Sequence, residues 1–539
     1  MPFSAPRFFA LSLFFLLALL SLIGRASESG PVFQFHLLAE PLIMDPQALT
    51  GSGGNYLLQN LYRGLYRYHS RDGLVPEGAK TCVRLPKTAR RLERLKCTLR
   101  PEHKWSDGQA IRAQDYVAAL RRLIDPKEAS PQSFALFTLK NARTIWKGEL
   151  EPVHLGVRAP DARTLIFEFA EDDPEFEYKL IHPALSPLPP SGFVERAQAS
   201  QLIASGPYKI KEWKQGAWVR LEPNPHYPRR SSSPAPKAQA YFIDEDTTAL
   251  RLFEARKLDF LRRLVASEIP RFRGRPEFHQ FPMARFDYIG FGPDFKDHNL
   301  REALVRAVRY EDFLKVFDTG TRPGCPSFPS RLLDKPVCLE FKPQEARTFL
   351  KRAPPPPRIK FYYSRMGGDD IFRAAEFFQA QWKKHLGLNI ELQSEEQTMY
   401  VRHLRTHPPP IFRKGVGMDR PTCLAALETF KKNNPENFIR FEEPEYERLL
   451  DEVARARSTG TRRRACRKAM QFLLESARLI PLGEWHFTVL ARPEYKEWDL
   501  NELNQLDLGE LTYSPSSTLE ATPAHADKKA SETRESSQE

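Results

Sequence analysis

Cysteine and long apolar runs are both scarce in this sequence. Six cysteines in 539 residues are too few to build a disulfide-dependent scaffold. Beyond the N-terminal segment, no stretch is long and apolar enough to cross a bilayer. Apolar residues make up 41% of the chain and charged residues 28%, which excludes wholesale disorder and leaves enough material for a buried core. At about 100–200 residues per domain, the length predicts two to four domains.

The sequence also lacks a stripe of one charge sign. It has 81 Lys and Arg against 68 Asp and Glu, which gives a formal charge of +13. The two signs are interspersed, as in Lys211-Glu212 and Arg301-Glu302. A nucleic-acid-binding protein would more often concentrate basic residues on one face, with aromatic platforms or a known motif. We therefore expect no nucleic-acid partner.

Motifs of catalysis and metal binding are missing as well. There is no G-x-S-x-G elbow, no H-E-x-x-H, no P-loop and no G-x-G-x-x-G behind a strand. His403 and His407 have i, i+4 spacing, but prolines follow at once and no acidic partner is evident, which favours a surface pair over a metal site. The sequence predicts no cofactor, no metal and no enzymatic activity. A hydrolase with an unrecognised site stays open, because triads are defined in space.

The N-terminus has the pattern of an export signal. Arg7 precedes the apolar run 8–23, and Gly24-Arg25-Ala26 offers small residues for cleavage. The run is shorter than the roughly 20 residues that a membrane span needs, although an uncleaved anchor is the alternative. No cysteine follows it, so a lipid anchor is not available. We predict a signal peptide over 1–26 and a periplasmic protein.

Export changes how the cysteines are interpreted. They form two local pairs and one distant pair: Cys82 and Cys97, Cys325 and Cys338, and Cys423 and Cys466. In an oxidising compartment each local pair can close a disulfide over a short loop, and buried free thiols are the alternative. Nothing in the sequence decides whether the distant pair bonds.

Apolar periodicity predicts a mixture of helices and strands. Helical spacing covers 55–66, 113–124, 301–317, 372–386, 445–457 and 462–477. Strands are predicted over 33–38, 165–169, 358–363 and 388–392. Gly387, between a helix and a strand, has the place of a C-cap, and this succession is the recurring unit of an α/β lobe. Residues 513–539 have almost no bulky apolar residue and are predicted to form a disordered tail.

Several segments, taken in order, carry a family resemblance. They are Glu40-Pro41 with Met44-Asp45-Pro46, Asn60 to Tyr66, His103 to Gly108 with Ala113 to Tyr116, Ser205 to Lys209, Leu221 to Tyr227, Tyr288 to Phe291, Arg301 to Leu304 and Ile480-Pro481-Leu482. Together they resemble the oligopeptide-binding family of extracytoplasmic solute-binding proteins of ABC importers (bacterial family 5, periplasmic binding protein type II). The match runs from about residue 36 to 512, and its block from Trp105 to Tyr116 is the most specific.

The resemblance implies an α/β, two-lobed periplasmic-binding-protein type II fold with an extra domain in the first lobe. The division that it implies is lobe I over 27–61, 185–284 and 488–512, the additional domain over 62–184, and lobe II over 285–487. A ligand would bind between the lobes, and closure would present the loaded form to a membrane permease. The implied partners are a small peptide or other small solute and the permease of an ABC importer, and we expect a monomer.

The resemblance also places a ligand site at 415–421. In the family, an acidic residue of this segment pairs with the α-ammonium of the peptide, and Asp419 takes that position in Gly415-Val416-Gly417-Met418-Asp419-Arg420-Pro421. Val416 and Arg420 depart from the family pattern, and the closing Asp-Pro is missing. Arg420 could neutralise Asp419, so an ammonium site and a structural Asp–Arg pair are both open.

Three further positions complete the implied site. Arg413 matches a family position that can face the carboxylate of the ligand, and a solvated basic loop with Lys414 is the alternative. Gly415 and Gly417 belong to the same segment. Ser52 lies in a glycine-rich loop that borders the ligand in the family. The cargo stays open between peptides and other solutes such as sugars, metal chelates, haem or opines, and an exported sensor is a further alternative.

Overall fold

The computed structural model describes residues 30–515, apart from 42–43, 49–54, 90–91, 190–191, 193–195, 317–331, 356–357, 366–368, 433 and 457. The predicted signal peptide, Ser52, Cys325 and the chain beyond residue 515 lie outside the described residues. The signal peptide, the role of Ser52, the Cys325–Cys338 disulfide and the disordered tail therefore stay predictions.

The helices of the described chain are α1 (Asn55–Leu61), α2 (Ala113–Ile124), α3 (Ala142–Trp146), α4 (Phe176–Lys179), α5 (Asp246–Glu254), α6 (Ile269–Phe272), α7 (His298–Arg306), α8 (Tyr310–Val316), α9 (Pro343–Arg352), α10 (Asp369–Leu386), α11 (Gln397–Thr406), α12 (Cys423–Glu428), α13 (Pro444–Arg455) and α14 (Thr459–Glu475). The strands are β1 (Val32–Leu37), β2 (Tyr66–His69), β3 (Gly73–Pro76), β4 (Ala79–Leu85), β5 (Arg94–Leu99), β6 (Val157–Arg158), β7 (Thr164–Glu168), β8 (Tyr208–Lys214), β9 (Trp218–Pro223), β10 (Lys237–Phe242), β11 (Phe260–Leu261), β12 (Phe278–Phe291), β13 (Lys360–Ser364), β14 (Glu391–Glu395), β15 (Ile411–Gly417), β16 (Leu479–Ala491), β17 (Tyr495–Lys496), β18 (Asp499–Leu500), β19 (Leu506–Asp507) and β20 (Thr512–Tyr513).

Helix α2 shows why local pattern and structure agree where the signal is strong. Its predicted bounds are confirmed, and its apolar spacing places Tyr116, Leu120 and Leu123 in the core. The carboxylate of Asp115 accepts a hydrogen bond from the backbone N–H of Arg112 at 2.8 Å, which caps the first turn. The helix ends before an Asp-Pro pair, where the residue preceding proline leaves the helical region.

The single helix predicted over 301–317 is wrong, because the structure has two, α7 and α8. Tertiary hydrogen bonds take the backbone groups that would have continued α7. The N–H of Arg309 donates to the side chain of Gln381 at 3.1 Å, and the carbonyl of Val305 accepts from the hydroxyl of Tyr310 at 2.9 Å. The strand predicted over 388–392 also starts later, at Glu391, where pairing with Lys360 begins.

One ten-stranded sheet runs through the molecule, in the order β14-β13-β15-β12-β16-β11-β1-β10-β9-β8. Its centre is the antiparallel pair β12 and β16, which are 14 and 13 residues long. Their register shifts between Pro282 and Phe286. This irregularity divides the pair into a half that continues into β11 and β1 and a half that continues into β15 and β13. A break in the ladder lets the two halves of a sheet bend relative to each other.

The buried apolar side chains form separate cores rather than one. One core contains residues from 65 to 185, around α2 and β7. Another combines residues 33–62, 199–260 and 489–511, and a small cluster lies beside it around α5. Two more are built from residues 284–482, on the two sides of β15. The residue boundaries of the predicted domains stay a prediction.

No helix among the described residues has the length and apolarity that a membrane span requires.

Candidate functional site

The segment 415–421 closes a strand and opens a helix beside the register break. β15 pairs along its whole length with β12, so that Gly415 lies opposite Asp287. After the strand, the N–H of Met418 donates to the carbonyl of Ala284 at 2.8 Å. Thr422 then caps α12, because its hydroxyl accepts from the N–H of Ala425 at 3.2 Å. The loop between β15 and α12 therefore emerges next to the point where β12 changes register.

Arg420 is the centre of this loop, and three carboxylates surround its guanidinium group. Its Nη1 donates to both oxygens of Asp419, at 2.9 and 2.8 Å. Its Nε donates to Oε2 of Glu175 at 2.6 Å, and its Nη2 donates to Glu428. Arg420 itself is buried. Every nitrogen of the guanidinium thus has a charged acceptor, which is the strong form of the hydrogen bond.

Glu175 comes from a remote part of the sequence, directly before α4. Its side chain is 1% exposed, and Phe176 next to it is buried in the core of residues 65–185. Besides Arg420, Oε2 of Glu175 accepts a hydrogen bond from the hydroxyl of Thr422 at 2.8 Å. Its second oxygen, Oε1, is buried and has no hydrogen-bond partner within the described residues. Glu175 thus joins the predicted additional domain to the loop that carries Asp419.

The cluster keeps a surplus of negative charge. Burial alone would lower the pKa of Arg420, but Asp419, Glu175 and Glu428 raise it well above its usual value. Burial raises the pKa of Glu428, and Glu175 adds to this rise against the opposing effect of Arg420. One guanidinium group faces three carboxylates, so the site can still attract a cation.

Two neighbouring basic residues, Lys179 and His182, add no net positive charge to this cluster. Lys179 is paired with Asp173 at 2.7 Å. Burial lowers the pKa of His182 to about 4, against the opposing effect of Asp419, so this imidazole is neutral at physiological pH. The side chain of Asp419 is 43% exposed. A group that approaches from solvent can therefore reach Asp419, whereas Glu175 is covered.

Arg413 belongs to a second, buried ion cluster. It lies on β15 with its side chain 7% exposed, and its guanidinium contacts Asp287, which is fully buried. Arg285 binds the same carboxylate, with its Nε at 2.8 Å from Oδ1. The alternative of a solvated basic loop is therefore wrong for Arg413. The structure does not test whether Arg413 also faces a ligand.

The two glycines of the segment differ in their surroundings. A Cβ at Gly415 would lie 2.4 Å from Nη2 of Arg285 and 2.7 Å from Oδ1 of Asp287, so this position leaves room for the ion cluster. At Gly417 a Cβ would meet nothing within 4 Å. Glycine is needed at position 415 because the side chains of Arg285 and Asp287 pack against it. At position 417 the space beside the strand is open.

The His403 and His407 pair has a different explanation from the one that spacing offered. His403 does have an acidic neighbour, because its Nδ1 lies 3.1 Å from Glu395. The contact is one histidine with one carboxylate on the side of α11 that faces β14. Within the described residues, no group of three or more His, Cys, Asp or Glu is arranged to hold a metal ion.

Two disulfides are present in the described chain. Cys82 and Cys97 stand opposite each other in the β4–β5 pair, with their Cα atoms 4.0 Å apart, and their sulfur atoms are bonded. Cys423 is bonded to Cys466, which ties α12 to α14. Because Cys325 lies outside the described residues, the pair with Cys338 stays a prediction.

Non-reducing peptide mass mapping should recover Cys82 joined to Cys97 and Cys423 joined to Cys466. Replacing Cys423 and Cys466 by serine should lower the free energy of unfolding by about 2–4 kcal/mol, because the closed loop restricts the unfolded chain. The matched replacement at Cys82 and Cys97, which closes a shorter loop, should cost less. Free thiols at Cys423 and Cys466 in the unreduced protein would contradict the pairing.

Sequence reasoning missed four residues of these clusters: Glu175, Glu428, Arg285 and Asp287. Glu175 and Glu428 gave no signal, because isolated acidic residues in polar surroundings are common. Asp287 did give one, since it stands inside the apolar run 286–291, and a charge there requires a buried partner. Its partner Arg413 is 126 residues away in the sequence.

Comparisons with known proteins agree with this architecture. The Periplasmic murein peptide-binding protein MppA of Escherichia coli (strain K12) is 26% identical over 493 residues, which cover 86% of this chain and 90% of that protein. The Oligopeptide-binding protein OppA of Bacillus subtilis (strain 168) is 24% identical over 488 residues, covering 85% and 88%. The unliganded open form of the MppA periplasmic murein tripeptide-binding protein superposes with a TM-score of 0.76 at 24% identity, over 90% of this chain and 98% of that one.

These similarities confirm the fold predicted from the sequence. It is the two-lobed α/β fold of type II periplasmic binding proteins, in which β12 and β16 cross between the halves of the sheet. The sequence model of one protein family, described as bacterial extracellular solute-binding proteins, family 5 Middle, matches residues 92–438. This range includes both the block from Trp105 to Tyr116 and the loop that carries Asp419. The chain therefore belongs to family 5 of the bacterial extracellular solute-binding proteins.

Proposed function

We propose that this protein is exported to the periplasm, captures peptides between its lobes and delivers them to the permease of an ABC importer. The observation that carries the proposal is the half-exposed carboxylate of Asp419, in a cluster where three carboxylates surround one guanidinium. A peptide α-ammonium is the cation that such a site fits. The names of the relatives, an oligopeptide-binding protein and a murein peptide-binding protein, support the same class of cargo.

Arg420 does not remove the negative charge that an ammonium needs. Its guanidinium is shared among Asp419, Glu175 and Glu428, so only part of its charge acts on Asp419. A carboxylate has about four lone-pair positions, and Arg420 uses two of those on Asp419. The side chain is 43% exposed, so a group in solvent can reach this carboxylate. This arrangement favours the ammonium site over a purely structural Asp–Arg pair.

The backbone of β15 offers a second element of recognition. β13 pairs with β15 only at Ile411 and Phe412, so the described sheet leaves the following residues, up to Gly417, without a strand on that side. Tyr400 donates its hydroxyl to the carbonyl of Arg413, and among the described residues no strand pairs on that side with the part of β15 beyond it. An extended peptide can add to such an edge through main-chain hydrogen bonds, which tolerate many sequences.

The crossing strands β12 and β16 would supply the hinge about which the two lobes close over a ligand. The register break near Pro282 lies between the two halves of the sheet, and loop 418–422 is bonded to the same place through Ala284. Closure about this hinge would bury the ligand beside Asp419, as in hinge-bending binding proteins.

No step of this cycle needs bond-making chemistry, so we propose that the protein is not an enzyme. A single chain is sufficient for the site, and we propose a monomer.

The charge of the cluster also weighs against one alternative cargo. A relative 25% identical over 86% of this chain is named a probable deoxycholate-binding periplasmic protein. A bile acid is an anion, and three carboxylates around one arginine would repel it. The peptide proposal therefore explains the cluster better than an anionic steroid does.

Native mass spectrometry of the protein purified from its own host tests the proposal directly. We expect a retained ligand whose mass and fragments are those of a short peptide. Ligand addition should raise the melting temperature without turnover of ester, amide or glycoside substrates. A retained non-peptide solute, or turnover of one of these substrates, would contradict the proposal.

Replacing Asp419 by alanine should weaken binding of free-amine peptides about tenfold or more, because a charge-assisted pair is lost. Titration calorimetry with a mixed tripeptide pool and with the same pool N-acetylated measures the effect. The acetylated pool has no ammonium and should bind both proteins equally. Equal losses for the two pools, or no loss for either, would show that Asp419 has only a structural role.

A further inference from the structure

Arg420 raises a physical problem for the proposed ammonium site. It lies beside Asp419 and binds both of its oxygens, so its positive charge opposes any cation that approaches. Two other carboxylates, Glu175 and Glu428, bind the same guanidinium on its remaining nitrogens. Whether Asp419 can hold a cation therefore depends on how far these two carboxylates compensate Arg420.

Of the two, Glu175 is the better placed to compensate. It is almost completely buried, and a charge pair that is shielded from water interacts more strongly than an exposed one. Glu428 is about one-third exposed, and burial raises its pKa, with Glu175 adding to the rise. The Nε–H of Arg420 and the hydroxyl of Thr422 fix the carboxylate of Glu175 at 2.6 and 2.8 Å.

The remaining oxygen of Glu175 shows that the cluster holds more negative charge than its own cation satisfies. Oε1 is buried without a hydrogen-bond partner within the described residues, which is costly for a charged group. Such a cost is tolerable where a further cation nearby lowers the energy of the whole cluster. Within the described chain, the neighbouring Lys179 is already bound to Asp173. A cation from outside the protein, next to Asp419, fits this surplus.

We propose that Glu175 is a positioning residue for the ligand site, which takes up the charge of Arg420 and so leaves Asp419 free to bind an ammonium. This inference rests on the proposed function for its ligand, and it assigns the specificity for a free amino terminus to a residue of the predicted additional domain. Glu175 also orients the loop, because it holds both Arg420 and Thr422. The contact does not require Glu175 to touch the ligand.

Glu175→Gln tests this role, since it keeps the shape of the side chain and removes its charge. Affinity for a free-amine tripeptide pool should fall about five- to tenfold, whereas affinity for the N-acetylated pool should not change. Glu171→Gln is the matched control. Glu171 belongs to the same region, and its pair with Arg143 is exposed, so this variant should bind both pools like the wild type.

The double variant E175Q/R420Q separates a charge effect from a structural one. With the charges of both residues gone, Asp419 is no longer opposed, and the preference for the free amine should return to within about threefold of the wild type. A purely structural role predicts that the double variant binds worse than E175Q. An unchanged preference in E175Q, or no recovery in the double variant, would overturn the proposal.

Hydrogen exchange in the ligand-free protein makes the test independent of the cargo. Backbone amides of the loop 418–422 should exchange faster in E175Q than in the wild type or in E171Q, because two side-chain anchors of the loop are weakened. If the wild type binds neither peptide pool but this exchange increases, the proposed peptide function is wrong, and Glu175 is shown only to hold the loop. If the wild type prefers the free amine and neither exchange nor preference changes in E175Q, the positioning role is wrong.

Should E175Q fail to fold, Glu175→Asp is the second variant, because it keeps the charge and shortens the reach of the side chain. We then expect a smaller loss of affinity, for the free-amine pool alone. An equal loss of affinity for both pools would count against the proposal.

Discussion

Asp287→Ala should lower the free energy of unfolding by about 3–5 kcal/mol, because the change strands the partners of a fully buried carboxylate. Asp287 lies on β12 just beyond the register break, and it accepts hydrogen bonds from Arg413 and from Arg285. Burial alone would lower the pKa of Arg285, but Asp287 raises it. Without Asp287, the guanidinium groups of Arg413 and Arg285 would have no other carboxylate partner among the described residues.

Urea denaturation followed by far-UV circular dichroism measures this loss. Asp451→Ala is the matched control, because Asp451 forms an exposed i, i+4 pair with Arg455 on α13, and its loss should cost less than about 1 kcal/mol. Asp287→Asn should lie between the two, since the amide keeps the shape and one acceptor. The side chain of Arg285 is already 38% exposed, so a loss below about 1 kcal/mol for Asp287→Ala would mean that water also reaches the guanidinium group of Arg413.

The position of Asp287 connects this stability to the binding site. The strand pair that it holds includes Gly415, where any Cβ would collide with the Asp287 and Arg285 side chains. The same strand leads directly into the loop that carries Asp419. A weakened cluster should therefore loosen the loop as well as the core. The segment 415–421 is thus anchored by the ion cluster of Asp287, Arg413 and Arg285.

The architecture was predictable because the motifs that carry the family resemblance are short and follow one another in a fixed order along the chain. The block from Trp105 to Tyr116 keeps its turn and helix signals within a dozen residues, and the structure folds it as predicted, with the indole of Trp105 buried. The Asp419–Arg420 contact was also foreseeable, because the two residues are neighbours. Local pattern failed over 301–317, where it predicted one helix and the structure has α7 and α8.

The partners within the site could not be predicted, because they are ion pairs between residues that are far apart in the sequence. Glu175 and Arg420 are 245 residues apart, and one charged residue among many has no distinctive spacing. Arg413 looked like part of a solvated basic pair with Lys414, but β12 supplies a buried carboxylate opposite it. Its neighbour Lys414 indeed turns elsewhere, to Glu436 at 3.1 Å. Sequence identified the loop, and only the tertiary structure shows which charges compensate one another.

Asp507→Asn should also cost about 3–5 kcal/mol at pH 7, since it leaves a buried arginine without its main counter-ion. The carboxylate of Asp507 binds Arg63, lies 3.6 Å from Arg67 and accepts from the N–H of Gly509 at 2.7 Å. Arg63 is fully buried, and its Nε and Nη1 have no hydrogen-bond partner among the described residues. The asparagine keeps the shape of the side chain, so the loss reports charge rather than packing.

The pH dependence of this difference has a definite sign. Burial alone would raise the pKa of Asp507, but Arg63, Arg67 and the Gly509 N–H hold it below its usual value. A carboxyl whose pKa is lower in the folded state stabilises the protein above the pKa of the unfolded chain, which is about 4, and this contribution disappears as pH falls through the folded value. Urea denaturation should therefore show wild type and Asp507→Asn far apart at neutral pH and converging below about pH 4.

Asp507 joins strand β19 to the predicted start of the additional domain. Arg63 lies two residues after α1, and its backbone N–H donates to the hydroxyl of Ser205 at 3.0 Å, so this contact and the Asp507 pair both hold the segment that follows α1. The predicted additional domain also carries Glu175, so if Asp507→Asn displaces this domain, hydrogen exchange in the loop 418–422 should become faster and the preference for a free amino terminus should weaken. Asp72→Asn, on an exposed residue of the same domain, is the control and should change neither property. If Asp507→Asn loses stability while hydrogen exchange of the loop 418–422 is unchanged, the additional domain holds its place through other contacts, and the two ion clusters act independently.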